Sequence, residues 1–231
     1  MTYLSLIPHP PKICLFTGGI APMLTPVDDV YLSLLERVKS RNYKFYDRYP
    51  GDILLVKRII TCLLEKPVTL PSGGLLTARR FLQVGISLGG SPSAFASLHS
   101  LFASAFISED DDEFTKSFLK QMDSLQPFDD HPIYFLMHES IYADGPGKSM
   151  STNWSAYRAY QSDAELDHKL SCHDFTNPTF LFGEVVLPWM ADGDYAELSG
   201  KNAFYSIYTN VRKKLILTLL SNFYQDSVCS H

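Results

Sequence analysis

Apolar positions along this chain change their period several times, and each change marks an element. Between residues 26 and 49 they recur at three- to four-residue spacing, with Val30, Leu34 and Val38 on one stripe, as an amphipathic helix requires. Thr25 stands where it can cap that helix, Pro26 opens it, and Asp28 and Asp29 fall in its first turn, where the helix dipole favours carboxylates. Residues 51–65 repeat the pattern with Ile53, Val56, Ile60 and Leu64. Residues 67–74 read as a loop shaped like a hairpin, and helices follow over 77–88 and 94–106, parted by Gly89-Gly90-Ser91-Pro92. The acidic run 109–113 reads as the solvated start of a helix that continues through 114–122. Residues 131–142 read as a buried helix, 153–160 as a short one, and 179–182 as an apolar stretch, extended or helical. The predicted fold class is therefore mostly α.

The two ends break this pattern. Pro8, Pro10 and Pro11 close a helix end over residues 3–9. The continuous apolar run Ile13, Cys14, Leu15 and Phe16 then reads as a buried strand bounded by Gly18-Gly19. Such a strand needs a parallel neighbour, whose place would be upstream of Met1, so the start reads as cut. After Leu198 the chain alternates aromatic, β-branched and basic residues around Arg212-Lys213-Lys214. That tail differs in character from everything before it.

Composition narrows the class. At 231 residues, 45% hydrophobic and 19% charged, the chain has the balance of one globular domain and not of a disordered segment. A net charge of −5 argues against a nucleic-acid surface. Cys14, Cys62, Cys172 and Cys229 are far apart and form neither a zinc pattern nor a disulfide scaffold, so reduced thiols in a cytoplasmic protein are expected. No signal peptide or membrane span is expected.

Three stretches invite chemistry. Gly85-Ile86-Ser87-Leu88-Gly89 matches G-x-S-x-G letter for letter. A nucleophile elbow needs a strand before the serine, whereas residues 77–83 favour helix, so a helix end with a small-residue contact is expected instead. His138-Glu139 resembles the start of a zinc-binding H-E-x-x-H, but position 142 is Tyr and His131, His168 and His173 are scattered. No metal and no cofactor is expected. Glu139 itself lies between the apolar run 133–137 and a loop containing Gly145-Pro146-Gly147. It reads either as a partly buried carboxylate held by a tyrosine or an arginine, or as the receiver of a cationic ligand group. Glu184 carries the same two readings, and together the two could form an acidic, apolar pocket. Asp110, Asp111 and Asp112 read as a solvated face, and Arg79-Arg80 as a surface pair.

Several of these segments together resemble one family, the proline iminopeptidases, serine peptidases of the α/β-hydrolase superfamily with a large helical cap. The resemblance rests on Leu15-Phe16-Thr17-Gly18-Gly19, on Arg41-Asn42-Tyr43-Lys44 with Tyr49-Pro50, and on the run from Leu70 to Gln83. It rests further on Leu88-Gly89-Gly90-Ser91, Leu98-His99, His138-Glu139-Ser140-Ile141-Tyr142, Ser151 to Ala156, and Phe182-Gly183-Glu184 with Pro188-Trp189-Met190. It covers about residues 1–198. It implies a core remnant over 1–25, a cap over 26–198 and a divergent tail over 199–231. It also implies that the serine elbow lies upstream of Met1 and that the catalytic aspartate and histidine follow the cap, leaving no catalytic residue in this sequence. Glu139 and Glu184 match the cap glutamates that bind the free imino group of an N-terminal proline. Tyr142, Trp189 and Phe182 are then expected to wall its ring. The implied partner is a small peptide substrate, with neither nucleic acid nor membrane. The contrasting reading is a non-catalytic binding module derived from such a cap.

Overall fold

The computed structural model describes residues 12, 13, 15, 25–108, 112–126, 134, 135, 138, 139, 152–163, 178–183 and 185–191. Among these the architecture is mostly helical with one small hairpin. Helix α1 spans Val27–Arg48 and α2 spans Asp52–Glu65. Strands β1 (Val68–Thr69) and β2 (Leu75–Leu76) pair antiparallel, with Val68 opposite Leu76 and Thr69 opposite Leu75. Then come α3 (Ala78–Phe81), a 3-10 segment (Leu82–Gly89), α4 (Ala94–Ala103), α5 (Lys116–Ser124), α6 (Ser155–Ser162) and a 3-10 turn (Pro188–Ala191). No described helix is long and apolar enough to cross a membrane.

The long helices lie where their periodicity places them, but each turns a neighbouring stripe inward. In α1 the buried side chains are Tyr31, Leu35, Val38, Asn42, Phe45 and Tyr46, so Val30 and Leu34 sit on the flank. In α2 they are Asp52, Val56, Ile59, Ile60 and Leu63, while Leu64 is exposed. The shift has a polar cause in each helix. Asn42 and Asp52 are buried because each has a partner across the core. Asp52 takes His99 Nδ1 of α4 at 2.9 Å, and the His99 ring stacks on Tyr49 with centroids 4.3 Å apart. Asn42 is described below. Between the helices, Phe45, Phe81 and Phe102 pack ring to ring, with Phe45–Phe102 and Phe81–Phe102 centroids 6.0 and 5.7 Å apart.

Three local expectations are corrected. Helix α5 starts at Lys116, capped by Thr115, whose hydroxyl oxygen accepts from the Phe118 amide at 3.0 Å. Asp112 and Glu113 precede it in irregular chain, because Phe114 is drawn instead into a bridge with Phe106. Arg80 is no surface residue; it is buried and donates to the Leu75 carbonyl at 2.5 Å. Ile13 and Leu15 belong to no described strand and are exposed, not buried as expected.

The expected helix over 77–88 tightens into 3-10 geometry after Phe81, and its cause is the segment 179–183. Those residues are buried and cross directly over the 3-10 segment. The Phe182 amide donates to the Leu82 carbonyl at 2.6 Å. A Cβ on Gly85 would collide with the Phe182 amide nitrogen and the Leu181 carbonyl carbon. A Cβ on Gly183 would lie 2.6 Å from the Ile86 amide nitrogen. The two backbones thus touch through two glycines. Gly85→Ala is expected to destabilise the protein by about 2–3 kcal/mol, as overpacking does where backbone and not a side-chain tip must move. Chemical denaturation of the variant against the parent measures it.

Candidate functional site

Gly85 also disposes of the G-x-S-x-G match. Ser87 lies within the 3-10 segment that follows α3, so no strand leads into it and no sharp strand-to-helix turn presents its hydroxyl. The motif's first glycine serves close packing, the small-residue contact expected of it.

The carboxylate of Glu139 is the best-defined polar centre among the sequence-derived candidates. Glu139 is 2% exposed. Its Oε1 accepts the Ala156 amide at 2.9 Å, and its Oε2 accepts the Thr152 hydroxyl. The tyrosine or arginine partner expected for a bland buried carboxylate is thus replaced by a helix end. Helix α6 supplies no side-chain cap of its own, since its N-cap residue is Trp154 in left-handed geometry. Glu139 supplies the cap from thirteen or more residues upstream and meets the positive end of the helix dipole.

The turn that presents these donors is strained. Asn153 and Trp154 have φ of 50° and 54°, two consecutive left-handed residues, of which the bulky tryptophan is the more unusual. Each such residue costs about 1–2 kcal/mol. The turn is held from outside. Arg158 donates to the Thr152 carbonyl at 2.8 Å, to the Asn153 carbonyl at 2.5 Å and to Asp28 Oδ1 at 2.5 Å. Asp28, in the first turn of α1, also accepts the Ser155 hydroxyl. Lys39 of α1 bonds Asp163 at 2.7 Å just past the other end of α6. Helix α6 is therefore fastened to α1 at both ends.

Burial raises the Glu139 pKa above the ordinary glutamate value, while the Thr152 hydroxyl, the Ala156 and Ser155 amides and the Arg158 charge pull it back down. Burial lowers the pKa of neighbouring His138, which keeps that imidazole neutral near pH 7. The result is one buried acidic group in aromatic surroundings. Phe135 packs against Trp154 with centroids 6.1 Å apart, and Tyr134 lies 4.9 Å from His138. A carboxylate accepts up to about four hydrogen bonds, so a cationic N–H donor suits the remaining lone pairs.

The other candidates are placed as follows. Phe182 is fully buried, its ring 6.2 Å from Tyr160 of α6. It is linked to the Glu139 end through that helix, which carries Ala156 one turn before Tyr160. Trp189 is half-buried in the final 3-10 turn and packs on the core. Glu184 and Tyr142 lie outside the described residues, as do Cys14, Cys172, Cys229 and the tail. Among the described residues no group of three or more His, Cys, Asp or Glu side chains could hold a metal ion. Thr152, Arg158 and Asp28 were not singled out by sequence. Asp28 read only as a helix-dipole carboxylate, and nothing in the spacing of Thr152 or Arg158 signals that they converge on a glutamate from another segment.

Comparison with known proteins gives a consistent relationship. The chain is 34% identical to a proline iminopeptidase of Aeromonas sobria over 190 residues, which are 82% of this chain and 42% of that protein. It is 38% identical to a proline iminopeptidase of Aspergillus aculeatus over 89 residues, 38% of this chain and 20% of that protein. The chain thus spans less than half the length of these relatives. No family model matches it.

Proposed function

Because the chain belongs to the proline iminopeptidase family, we propose that it is the recognition part of a prolyl aminopeptidase, a serine-type hydrolase that removes N-terminal proline from peptides. The described helices correspond on this reading to the cap over an α/β-hydrolase core. The Ser-Asp-His triad belongs to the length of the relatives that this chain does not span. Serine attack on the carbonyl after the N-terminal proline, with histidine taking the proton, is then supplied from there. What this chain contributes is selection of a free N-terminal amine.

The observation that carries the reading is Glu139, a carboxylate 2% exposed with both oxygens already oriented by α6 and Thr152. The secondary ammonium of an N-terminal proline completes its hydrogen bonding and neutralises its charge, a charge-assisted contact that an acylated N-terminus cannot make. Glu184 is the second carboxylate of this site, and Tyr142, Phe182 and Trp189 its apolar wall. L-prolinamide is expected to bind the 231-residue chain, N-acetyl-L-prolinamide to show no binding, and Glu139→Gln to lose L-prolinamide binding at least tenfold. Isothermal titration decides it. Equal affinity for the acetylated and free ligands would overturn the proposal. Residues 1–231 alone are expected to release no arylamine from a proline arylamide.

A further inference from the structure

The geometry points to Arg158, braced by Asp28, as the positioning residue that aims Glu139 at its ligand. The inference rests on the reading of Glu139 as an amine receiver and names what keeps it in place. Arg158 is the fourth residue of α6, and its guanidinium turns back over the start of its own helix. It donates to the Thr152 and Asn153 carbonyls and, on its far side, to Asp28. One carbonyl immediately precedes the left-handed pair Asn153 and Trp154, and the other lies inside it. A strained turn persists only where its surroundings over-determine it, and Arg158 with the Ser155–Asp28 hydrogen bond provides that constraint.

The turn in question delivers the Thr152 and Ala156 donors that orient Glu139. Thr152 lies before the left-handed pair and Ala156 after it, so relaxing the pair changes the distance between them. Arg158 therefore acts through Thr152 and through the helix start. Its positive charge also favours the ionised carboxylate. The charged and titratable groups concerned are Arg158 from α6, Asp28 of α1 behind it, and buried His138 preceding Glu139 in the chain. The Asp28–Arg158 pair is largely solvent-exposed, with side chains 54% and 41% exposed. An ion pair of that kind contributes little to folding, which separates a positioning role from a stabilising one.

The test uses the 231-residue chain as Arg158→Met and Arg158→Lys, with Asp28→Asn as a variant that loosens the brace and keeps the arginine. Two quantities are read. One is the carbon-13 NMR titration of the Glu139 carboxyl, assigned against Glu139→Gln. The other is the affinity for L-prolinamide at neutral pH. Arg158→Met is expected to move the Glu139 titration to higher pH and to weaken L-prolinamide about tenfold. Arg158→Lys restores most of the titration but not the affinity, because an ammonium cannot span two carbonyls and a carboxylate as a planar fork does. Asp28→Asn shifts affinity in the same direction as Arg158→Met, by less. If Arg158→Met melts at a lower temperature while titration and affinity match the parent, the role is structural and the inference fails. If Arg158→Met does not fold, unchanged titration and affinity in Asp28→Asn and Arg158→Lys overturn it equally. Should Glu139→Gln bind L-prolinamide as the parent does, the amine-receiver reading fails instead, and the titration alone still decides whether Arg158 positions the carboxylate.

Discussion

Glu139→Ala is expected to lose about 2–4 kcal/mol of stability, whereas Glu139→Gln is expected to stay within about 1 kcal/mol of the parent at neutral pH. The contrast follows from what each side chain does with the Ala156 and Thr152 donors. Alanine leaves the Ala156 amide and the Thr152 hydroxyl buried with nothing to accept them, the costly way to break a hydrogen bond. It also removes the capping of α6, worth about 1 kcal/mol at an ordinary helix. Glutamine keeps both contacts: its carbonyl oxygen accepts from Ala156, and its amide donates to the Thr152 oxygen in place of receiving its proton. Only the charge is lost. Glutamine is therefore the informative substitution for ligand binding, because it separates recognition from folding.

The same pair of variants carries a pH signature. Burial raises the folded-state pKa of Glu139 above the ordinary value. The folded chain then holds the proton more tightly than the unfolded one. The corresponding stability is fully present below the unfolded pKa and is lost as pH rises through the folded one. Glutamine imitates the protonated acid and undergoes no such loss. Relative to the parent, Glu139→Gln should gain stability as pH rises from about 4 to 7. Urea denaturation of both proteins across that range measures the difference. A gap that is constant with pH would mean that burial does not raise the Glu139 pKa.

Asn42→Ala is expected to cost about 3–5 kcal/mol. Asn42 is fully buried and pairs with one residue twice. Its Nδ2 donates to the Leu181 carbonyl at 2.9 Å, and its Oδ1 accepts the Leu181 amide at 2.7 Å. The side chain imitates the two hydrogen bonds of a sheet neighbour for a segment with no strand beside it among the described residues. Tyr46, one turn further on, donates its hydroxyl to the Thr179 carbonyl at 2.6 Å. Alanine at 42 leaves a backbone N–H and C=O of Leu181 unsatisfied inside the core and opens a cavity. Aspartate retains the acceptor only and buries a charge, so Asn42→Asp should fare no better. Thermal or urea unfolding reads both, and a loss below about 1 kcal/mol would show that the 179–183 stretch has another anchor.

These two residues also mark where the sequence was legible and where it was not. Element existence came through well because it rests on period. Helices α1 and α2 follow from the spacing of apolar residues, and the hairpin loop and the start of α4 from the Pro- and Gly-containing breaks around them. Facing came through less well, by one residue in α1 and α2, because hydrophobic counting leaves Asn42 and Asp52 out of the core. Their burial depends on Leu181 and His99, partners that no local pattern indicates. The tightening after Phe81 was equally hidden, since it depends on a backbone crossing from residues 181–183. At the site, Glu139 stood out through its apolar flank and its family match. Its surroundings did not, because Thr152, Arg158 and Asp28 reach it from two other segments.

The Asn42–Leu181 pairing joins positions 139 residues apart in sequence, and the Gly85–Phe182 crossing closes a second, shorter long-range loop. Contacts of that separation form late, because the chain must meet the entropy of closure before they return anything. A nascent chain emerging from the ribosome exposes α1 with its Asn42 amide unmatched until Leu181, 139 residues further on, has been made. During that interval the apolar face of α1 lies open to aggregation. The helix bearing this amide is therefore a segment for which a chaperone matters while translation continues.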